Sequence, residues 1–107
     1  MRSASDGAAA PKAAMELLGQ RWMLRIVWEL EPGPLGFLEL RRRMDHCSSS
    51  ILSVRLQALQ AAAIIVKRAD KVYELTDAGA GLGRALHPLW TWAGGHLDPD
   101  RRVPDQR

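Results

Sequence analysis

The chain has 107 residues, 47% of them hydrophobic and 25% charged, which excludes a disordered protein and fits one globular domain with a modest core. Its single cysteine, Cys47, excludes an intrachain disulfide and suits a reducing cytoplasm, and no run approaches the roughly 20 apolar residues of a membrane span. The net charge of +3 is concentrated centrally, since residues 41–71 hold seven basic and two acidic side chains. A basic centre permits a nucleic-acid partner.

The first part of the chain predicts a tail and two helices. Residues 1–10 are small and polar, and we expect them to form a flexible tail. Pro11 suits the first turn of a helix over 12–18, and Gly19 is suited to end that helix. Residues 21–30 carry apolar side chains at helical spacing before a Pro-Gly-Pro sequence, so they predict a core helix.

A helix-turn-helix is predicted next. Phe37–Met44 has apolar residues on one face and Arg41, Arg42 and Arg43 around the other. A short Asp-His turn then precedes a longer helix, and two helices joined by a three-to-four-residue turn are typical of this motif. The arginines either contact DNA phosphates beside the turn or form an ordinary solvated face.

The helix over 47–63 has two different faces. Leu52, Leu56, Leu59 and Ala63 form one apolar stripe at a period of 3.6 residues. Short polar side chains in its N-terminal half can cap the helix and bond to base edges, as a recognition helix over about 48–62 requires. The candidate DNA-binding residues here are Ser48, Ser49, Ser50, Ser53, Val54 and Gln57. The alternative is an ordinary amphipathic surface helix.

Two short strands follow, with a period of two residues. They predict a β-hairpin whose tip, over about 66–72, is a short basic wing carrying Lys67, Arg68 and Lys71. Such a wing can bind the sugar-phosphate backbone beside a recognition helix, although the same residues are often plain surface charges.

The last predicted element is a helix capped by Thr76. Its apolar surface is broader than one contact stripe, which indicates burial against both the core and a second chain. Pro88 is expected to kink this helix and Gly94-Gly95 to end it, and residues 96–107 are expected to form a second flexible tail.

The predicted fold is therefore mainly α with a small β-hairpin. The order of elements defines a winged helix-turn-helix domain over residues 11–95, with extra N-terminal and C-terminal helices for dimerisation.

Several stretches of this chain resemble the HxlR-type family of bacterial transcription regulators. The resemblance covers about residues 12–93. It is carried by Leu17–Leu24 (LLGQRWML), Gly33-Pro34, Phe37–Arg41 (FLELR), Ser48, Ile51–Leu56 (ILSVRL), Tyr73–Gly79 (YELTDAG) and Trp92. It implies a cytoplasmic, nucleoid-associated homodimer that binds double-stranded DNA at a roughly palindromic operator, with one recognition helix per half-site. It also implies dimerisation through the terminal helices and a response to oxidants, electrophiles or small ligands.

The chain departs from the family pattern in four places. The cysteine that redox-sensing members carry before the first helix is replaced by alanines at 8–10, which puts sensing by that route in doubt. Ser50 and Val54 replace basic and amide residues of the recognition helix. Ala63 replaces the glycine that ends it, so we expect a strained or rearranged exit turn. The wing is short, so its reach into the minor groove is limited.

Several side chains allow two interpretations. Arg55 either pairs with an acid such as Glu39 or contacts DNA. Cys47 is either a redox sensor at the start of the helix or a small half-buried residue. One set of aromatic residues either lines a pocket for a flat small-molecule effector or anchors the core and dimer interface; these residues are Trp22, Trp28, Trp90 and Trp92.

No enzymatic site is predicted. Adjacent Asp45, His46 and Cys47 do not converge as a catalytic triad, and His46 with Cys47 gives too few ligands for a metal. We therefore expect no cofactor and no metal. The alternative to a DNA-binding regulator is a winged-helix module for protein interaction or ligand sensing with weak or no specific DNA readout, favoured by Ser50, Val54 and the short wing.

Overall fold

The computed structural model describes residues 4–100, and their side chains from Gly7 onward. Five helices surround a small sheet. The helices are α1 (Ala4–Leu18), α2 (Met23–Leu30), α3 (Phe37–Arg43), α4 (Ser49–Ala61) and α5 (Asp77–His96). The strands are β1 (Leu35–Gly36), β2 (Ile65–Lys67) and β3 (Val72–Leu75). The predicted fold, mainly α with a winged helix-turn-helix, is confirmed.

The sheet has one strand more than the predicted hairpin. β2 and β3 form the antiparallel hairpin, with Lys67 opposite Tyr73, and β1 pairs with the other edge of β3, with Leu35 opposite Tyr73. A two-residue strand has no alternation to detect, which is why the sequence did not indicate β1.

The core joins α2, α3, α4 and the sheet. Each core side chain has less than a tenth of its surface exposed to solvent. The core residues are Met23, Ile26, Val27, Leu30, Leu40, Met44, Cys47, Leu52, Leu56, Leu59, Ile65 and Tyr73. The predicted stripe on α4 is therefore correct for its three leucines, whereas Ala63 is exposed. From α1, Leu17 packs against this core only partly buried.

The turn between α3 and α4 uses two residues in the left-handed region. Asp45 has a φ of 58° and His46 a φ of 54°, and the His46 amide donates to the Arg41 carbonyl over 3.0 Å. Ser48 then caps α4, because its Oγ accepts from the Ile51 amide at 3.2 Å. This short turn fixes α4 against α3 as a helix-turn-helix requires.

α4 ends in a hydrogen-bonded turn that normally contains glycine. The Ile64 amide donates to the Leu59 carbonyl and the Ala63 amide to the Gln60 carbonyl, each over 2.9 Å, which is the pattern of a Schellman motif. Ala63 occupies its left-handed position with a φ of 60°. The expected strain in the exit turn is therefore present as an unfavourable backbone conformation.

α5 is attached to that exit turn by Thr76. The Thr76 hydroxyl donates to the Ala63 carbonyl over 2.6 Å and accepts from the Gly79 amide at 3.0 Å, so the predicted cap is correct. Close approach makes Gly79 necessary, since a Cβ there would lie 2.0 Å from the Ile64 carbonyl oxygen.

The expected tails differ from the structure at both ends. Residues 4–10 belong to α1, since a run of alanines favours helix over an extended tail. α5 continues through Gly94-Gly95 to His96, and the described glycines hold no positive φ that would end it. Residues 1–3 and 101–107, which belong to the two predicted tails, lie outside the described part of the chain.

Candidate nucleic-acid interface

α4 presents a solvent-exposed face without charge. Ser49, Ser50, Val54 and Gln57 are exposed along it, and Ser53 is half-buried at its side. Val54, a branched apolar side chain, is 53% exposed on this face. Together with the exposed N-cap residue Ser48, six predicted residues thus lie on or next to the free surface of one helix, as a major-groove helix requires.

Two of the serines are partly engaged within the helix start. Besides capping α4, the Ser48 Oγ lies 2.9 Å from the Ser50 Oγ. A hydroxyl can donate and accept at the same time, so both retain hydrogen-bonding capacity for phosphate or a base edge.

A groove of about 640 Å³ separates α4 from the hairpin. It is lined by Phe37, Ser53, Gln57, Gln60, Lys67, Lys71 and Tyr73. The Lys67 ammonium lies 5.6 Å from the centre of the Tyr73 ring. The groove brings together four predicted residues, two from the helix and two from the wing. Gln60 was missed, although its position three residues after Gln57 is a signal that helical spacing provides.

The third wing cation is neutralised by its neighbours. Arg68 pairs with Asp70 at 3.3 Å and with Glu74 at 3.7 Å. The turn is short, since the Lys71 amide donates to the Arg68 carbonyl over 2.9 Å and Lys71 has a φ of 69°. Arg68 is therefore less available for phosphate than Lys67 and Lys71.

Arg41 stabilises the turn of the helix-turn-helix through a hydrogen bond. Its Nε donates to the Cys47 carbonyl over 2.6 Å, and its side chain is half-buried. This bond satisfies a carbonyl just before the N-cap of α4, so Arg41 has a structural role whether or not it reaches DNA.

Arg42 and Arg43 share one carboxylate. Their Nε atoms donate to the two oxygens of Glu39 over 3.0 and 2.9 Å. The hydrogen bond from Arg42, followed by that from Arg43, lowers the pKa of Glu39 to about 2, and the same contact raises the pKa of Arg42. Both arginines are exposed, so they form a surface ion cluster at the end of α3.

α2 reaches this cluster through Arg25. Its Nε donates to Glu29 over 2.7 Å and its Nη2 to the Arg43 carbonyl over 2.5 Å, while Asp45 lies 3.8 Å from its Nη1. The bond to a backbone carbonyl fixes the end of α3 relative to α2.

Arg55 is hydrogen-bonded to the turn between α1 and α2. Its Nε donates to the Arg21 carbonyl over 2.9 Å and its Nη1 to the Gln20 side chain over 2.8 Å. The predicted pairing with Glu39 is wrong, because Arg42 and Arg43 bind that carboxylate. Arg55 instead ties α4 to the turn between α1 and α2.

Cys47 lies in the core rather than on the surface. It is 8% exposed, and its position precedes the N-cap residue. Burial among apolar side chains protects a thiol from oxidants, so this location disfavours a redox sensor and agrees with a small packing residue.

The four tryptophans do not form one pocket. Trp28 and Trp90 meet edge to face with ring centres 5.3 Å apart, and together with Leu24 and Arg25 they line a cavity of about 430 Å³. Trp22 lies at the start of α2 under the Arg21 guanidinium, and Trp92 stacks on His96. The first pair is the one that lines this cavity, and its buried Trp90 Nε1 has no hydrogen-bond partner among the described residues.

The terminal helices carry an exposed apolar surface. Met15 on α1, Leu89 and Trp92 on α5, and Leu97 just beyond it are 42–68% exposed. An apolar groove lies between α1, Leu24 of α2 and Leu86 of α5. Apolar side chains exposed in this number on one pair of helices indicate a contact surface.

Among residues 4–100 no helix is long and apolar enough to cross a membrane. Within the same range, no three His, Cys, Asp or Glu side chains come together in a way that would hold a metal ion.

These elements define a winged helix-turn-helix DNA-binding protein: α3, the tight turn and α4 form the motif, and the β2–β3 hairpin lies beside α4. The family model for the HxlR-like helix-turn-helix matches residues 17–101, and the chain belongs to this family of transcriptional regulators.

Similar proteins agree with this assignment. The chain is 33% identical over 94 residues to the uncharacterized HTH-type transcriptional regulator YvaP of Bacillus subtilis (strain 168), covering 80% of this chain and 85% of that protein. It is similar to quinone-bound YodB from B. subtilis, with 29% identity and a TM-score of 0.74 over 79% of this chain and 94% of the other. A possible HxlR family transcriptional factor from Thermoplasma volcanium has 27% identity and a TM-score of 0.69 over 76% and 78% of the two chains.

Proposed function

We propose that this DNA-binding regulator acts as a homodimer on a roughly palindromic operator, with α4 of each protomer in the major groove and the short basic wing on the backbone. The observation that carries the proposal is the groove between α4 and the hairpin, where Ser53 and Gln57 lie beside Lys67 and Lys71. Polar groups for base edges and cations for phosphates are thereby combined in one concave surface.

The proposed contacts divide between bases and backbone. Ser49, Ser50, Val54 and Gln57 face the bases, with Ser53 at the side of the helix, and Ser48 binds phosphate at the helix start. The phosphate contacts come from Lys67 and Lys71, with Arg42, Arg43, Arg68 and Arg41 contributing where their internal partners permit. Cations that already pair with Glu39, Asp70 or Glu74 gain less from a phosphate than free ones do.

The homodimer is supported by the exposed apolar side chains of α1 and α5. Two copies joined through these helices are related by a twofold axis, and a twofold protein matches a palindromic operator. The half-site spacing is then about one helical turn of DNA, 10–10.5 base pairs, or a multiple of it.

Selection of random duplexes followed by salt titration of the selected sequence tests the proposal. We expect a palindromic sequence that binds far more tightly than scrambled DNA. Lys67→Ala removes one phosphate contact per protomer, so the slope of log K against log salt should fall by about two in a dimer. Lys12→Ala on the exposed side of α1 is the matched control and should leave the slope unchanged. Absence of any enriched duplex contradicts the proposal.

An interaction module without specific DNA readout is the second candidate, and the apolar exposure of Val54 favours it. Reversing the charges at Arg42 and Arg43 distinguishes the two functions. A DNA-binding regulator loses affinity for its operator, whereas an interaction module keeps its protein partner.

A small-molecule effector is also proposed, with the cavity beside Trp28 and Trp90 as its site. The unpartnered Trp90 Nε1 is a donor that a flat polar ligand can satisfy if the ring moves slightly. Quenching of tryptophan fluorescence, compared between wild type and Trp90→Phe, measures such binding.

A further inference from the structure

The exposed face of α4 has no cation with which to read guanine. Arg55 is the one cationic residue of this helix, and it is bonded to Arg21 and Gln20 in the turn between α1 and α2. Arginine and lysine bonded to guanine O6 and N7 are the commonest specific contacts in the major groove. The helix therefore lacks the usual side chains for a G·C pair.

The same face offers side chains that suit an A·T pair. Gln57 is exposed, and a glutamine amide can bond to adenine N6 and N7 together. Val54 is 53% exposed, and its methyl groups match the thymine C5-methyl, which is the apolar feature of the major groove. Covering Val54 with thymine would also remove its apolar surface from water.

We infer that α4 reads A·T base pairs, with Gln57 bonded to adenine and Val54 packed on a thymine methyl, and that it contacts no guanine. This inference rests on the proposed function. Three residues of helix span about 4.5 Å along its axis and a base-pair step spans about 3.4 Å, so the two contacts fall within one or two steps of each other.

Atom replacement in the selected operator tests each contact separately. Deoxyuridine in place of each thymine removes only the methyl group, and 7-deazaadenine in place of each adenine removes only the N7 acceptor. Dissociation constants are measured for the wild type, Val54→Ala and Gln57→Ala. Leu38→Ala is the matched control, since Leu38 is 77% exposed on α3 and belongs neither to α4 nor to the wing.

For the wild type and the control we expect one thymine per half-site whose replacement weakens binding about fourfold per contact. Val54→Ala should bind the thymine and uridine duplexes equally. At one adenine per half-site, removal of N7 should weaken binding by the wild type on the order of tenfold. The same replacement should leave the affinity of Gln57→Ala unchanged.

Three results overturn the inference. The first is that each replacement of thymine by deoxyuridine weakens DNA binding by the wild type and by Val54→Ala to the same extent. The second is a 7-deazaadenine effect that persists in Gln57→Ala. The third is a guanine whose replacement by 7-deazaguanine weakens DNA binding by the wild type but not by Arg55→Gln. In these cases the protein still has an operator, so the proposed function stands. If no duplex is enriched, both the proposed function and the inference fail.

Discussion

At the scale of single residues, Ala63 holds a conformation that glycine adopts more easily. Its φ of 60° brings Cβ close to the backbone, at a cost of about 1–2 kcal/mol for a residue other than glycine. We therefore expect Ala63→Gly to raise the free energy of unfolding by about 0.5–1 kcal/mol, after the greater freedom of glycine in the unfolded chain is subtracted. Urea unfolding followed by circular dichroism measures the change.

The neighbouring residue provides the control for Ala63→Gly. Ala62 has an ordinary φ of −84°, so Ala62→Gly should lower the free energy of unfolding by about 0.5–1 kcal/mol. Loss of stability in both variants would show that the left-handed conformation at Ala63 is not strained.

Glu39 is a second residue whose environment has a measurable consequence. Its pKa is lowered from 4.5 to about 2, so its contribution to stability is present above pH 4.5 and is lost as the pH falls through 2. We expect NMR titration of the carboxyl group to give a midpoint near the lower value at low salt. Arg42→Ala should return the midpoint toward 4.5, because the Arg42 hydrogen bond is the largest cause of the shift. An unchanged midpoint in that variant would contradict this assignment.

At the scale of elements, the contact between α5 and the end of α4 permits no side chain at Gly79. A Cβ there would lie 2.0 Å from the Ile64 carbonyl oxygen, so the helix must move away. Gly79→Ala should lower the free energy of unfolding by about 3 kcal/mol, as overpacking against backbone does. Gly81→Ala is the matched control, since its Cβ would meet only the Arg84 side chain at 3.7 Å and should raise helix stability by about 0.5–1 kcal/mol. Thermal unfolding of the two variants measures these changes, and equal stability of Gly79→Ala and Gly81→Ala would contradict the close contact at Gly79.

The elements that could be predicted from the sequence were those with strong periodicity. The leucine stripe of α4 fixed its buried face, and Thr76 fixed the start of α5. The end of α5 was missed, because a glycine destabilises a helix by only about 1 kcal/mol. The helix therefore continues through Gly94-Gly95 to His96. The partners of Arg55 were missed for another reason: they lie 34 and 35 residues away, and only the tertiary fold brings them near.

At the scale of the whole molecule, the exposed apolar side chains of the terminal helices lead to a prediction about the proposed dimer. We expect sedimentation equilibrium to give twice the chain mass for the wild type and dissociation for Leu89→Glu, because a buried carboxylate on α5 would lack a counter-charge. Leu38→Glu is the control, since Leu38 is also exposed but lies on α3. Dissociation by both variants, or by neither, would contradict a dimer formed through the terminal helices.

The buried side chains of the core lie between Met23 and Tyr73, and α5 contributes no large buried side chain to it. The terminal helices therefore pack around the outside of this core. In the proposed dimer, substitutions on the outer faces of α1 and α5 change which chain the protein pairs with. Under the same proposal, two duplicated copies of such a gene can diverge into separate, non-mixing regulators by altering α1 and α5, while α4 and the wing keep the same operator.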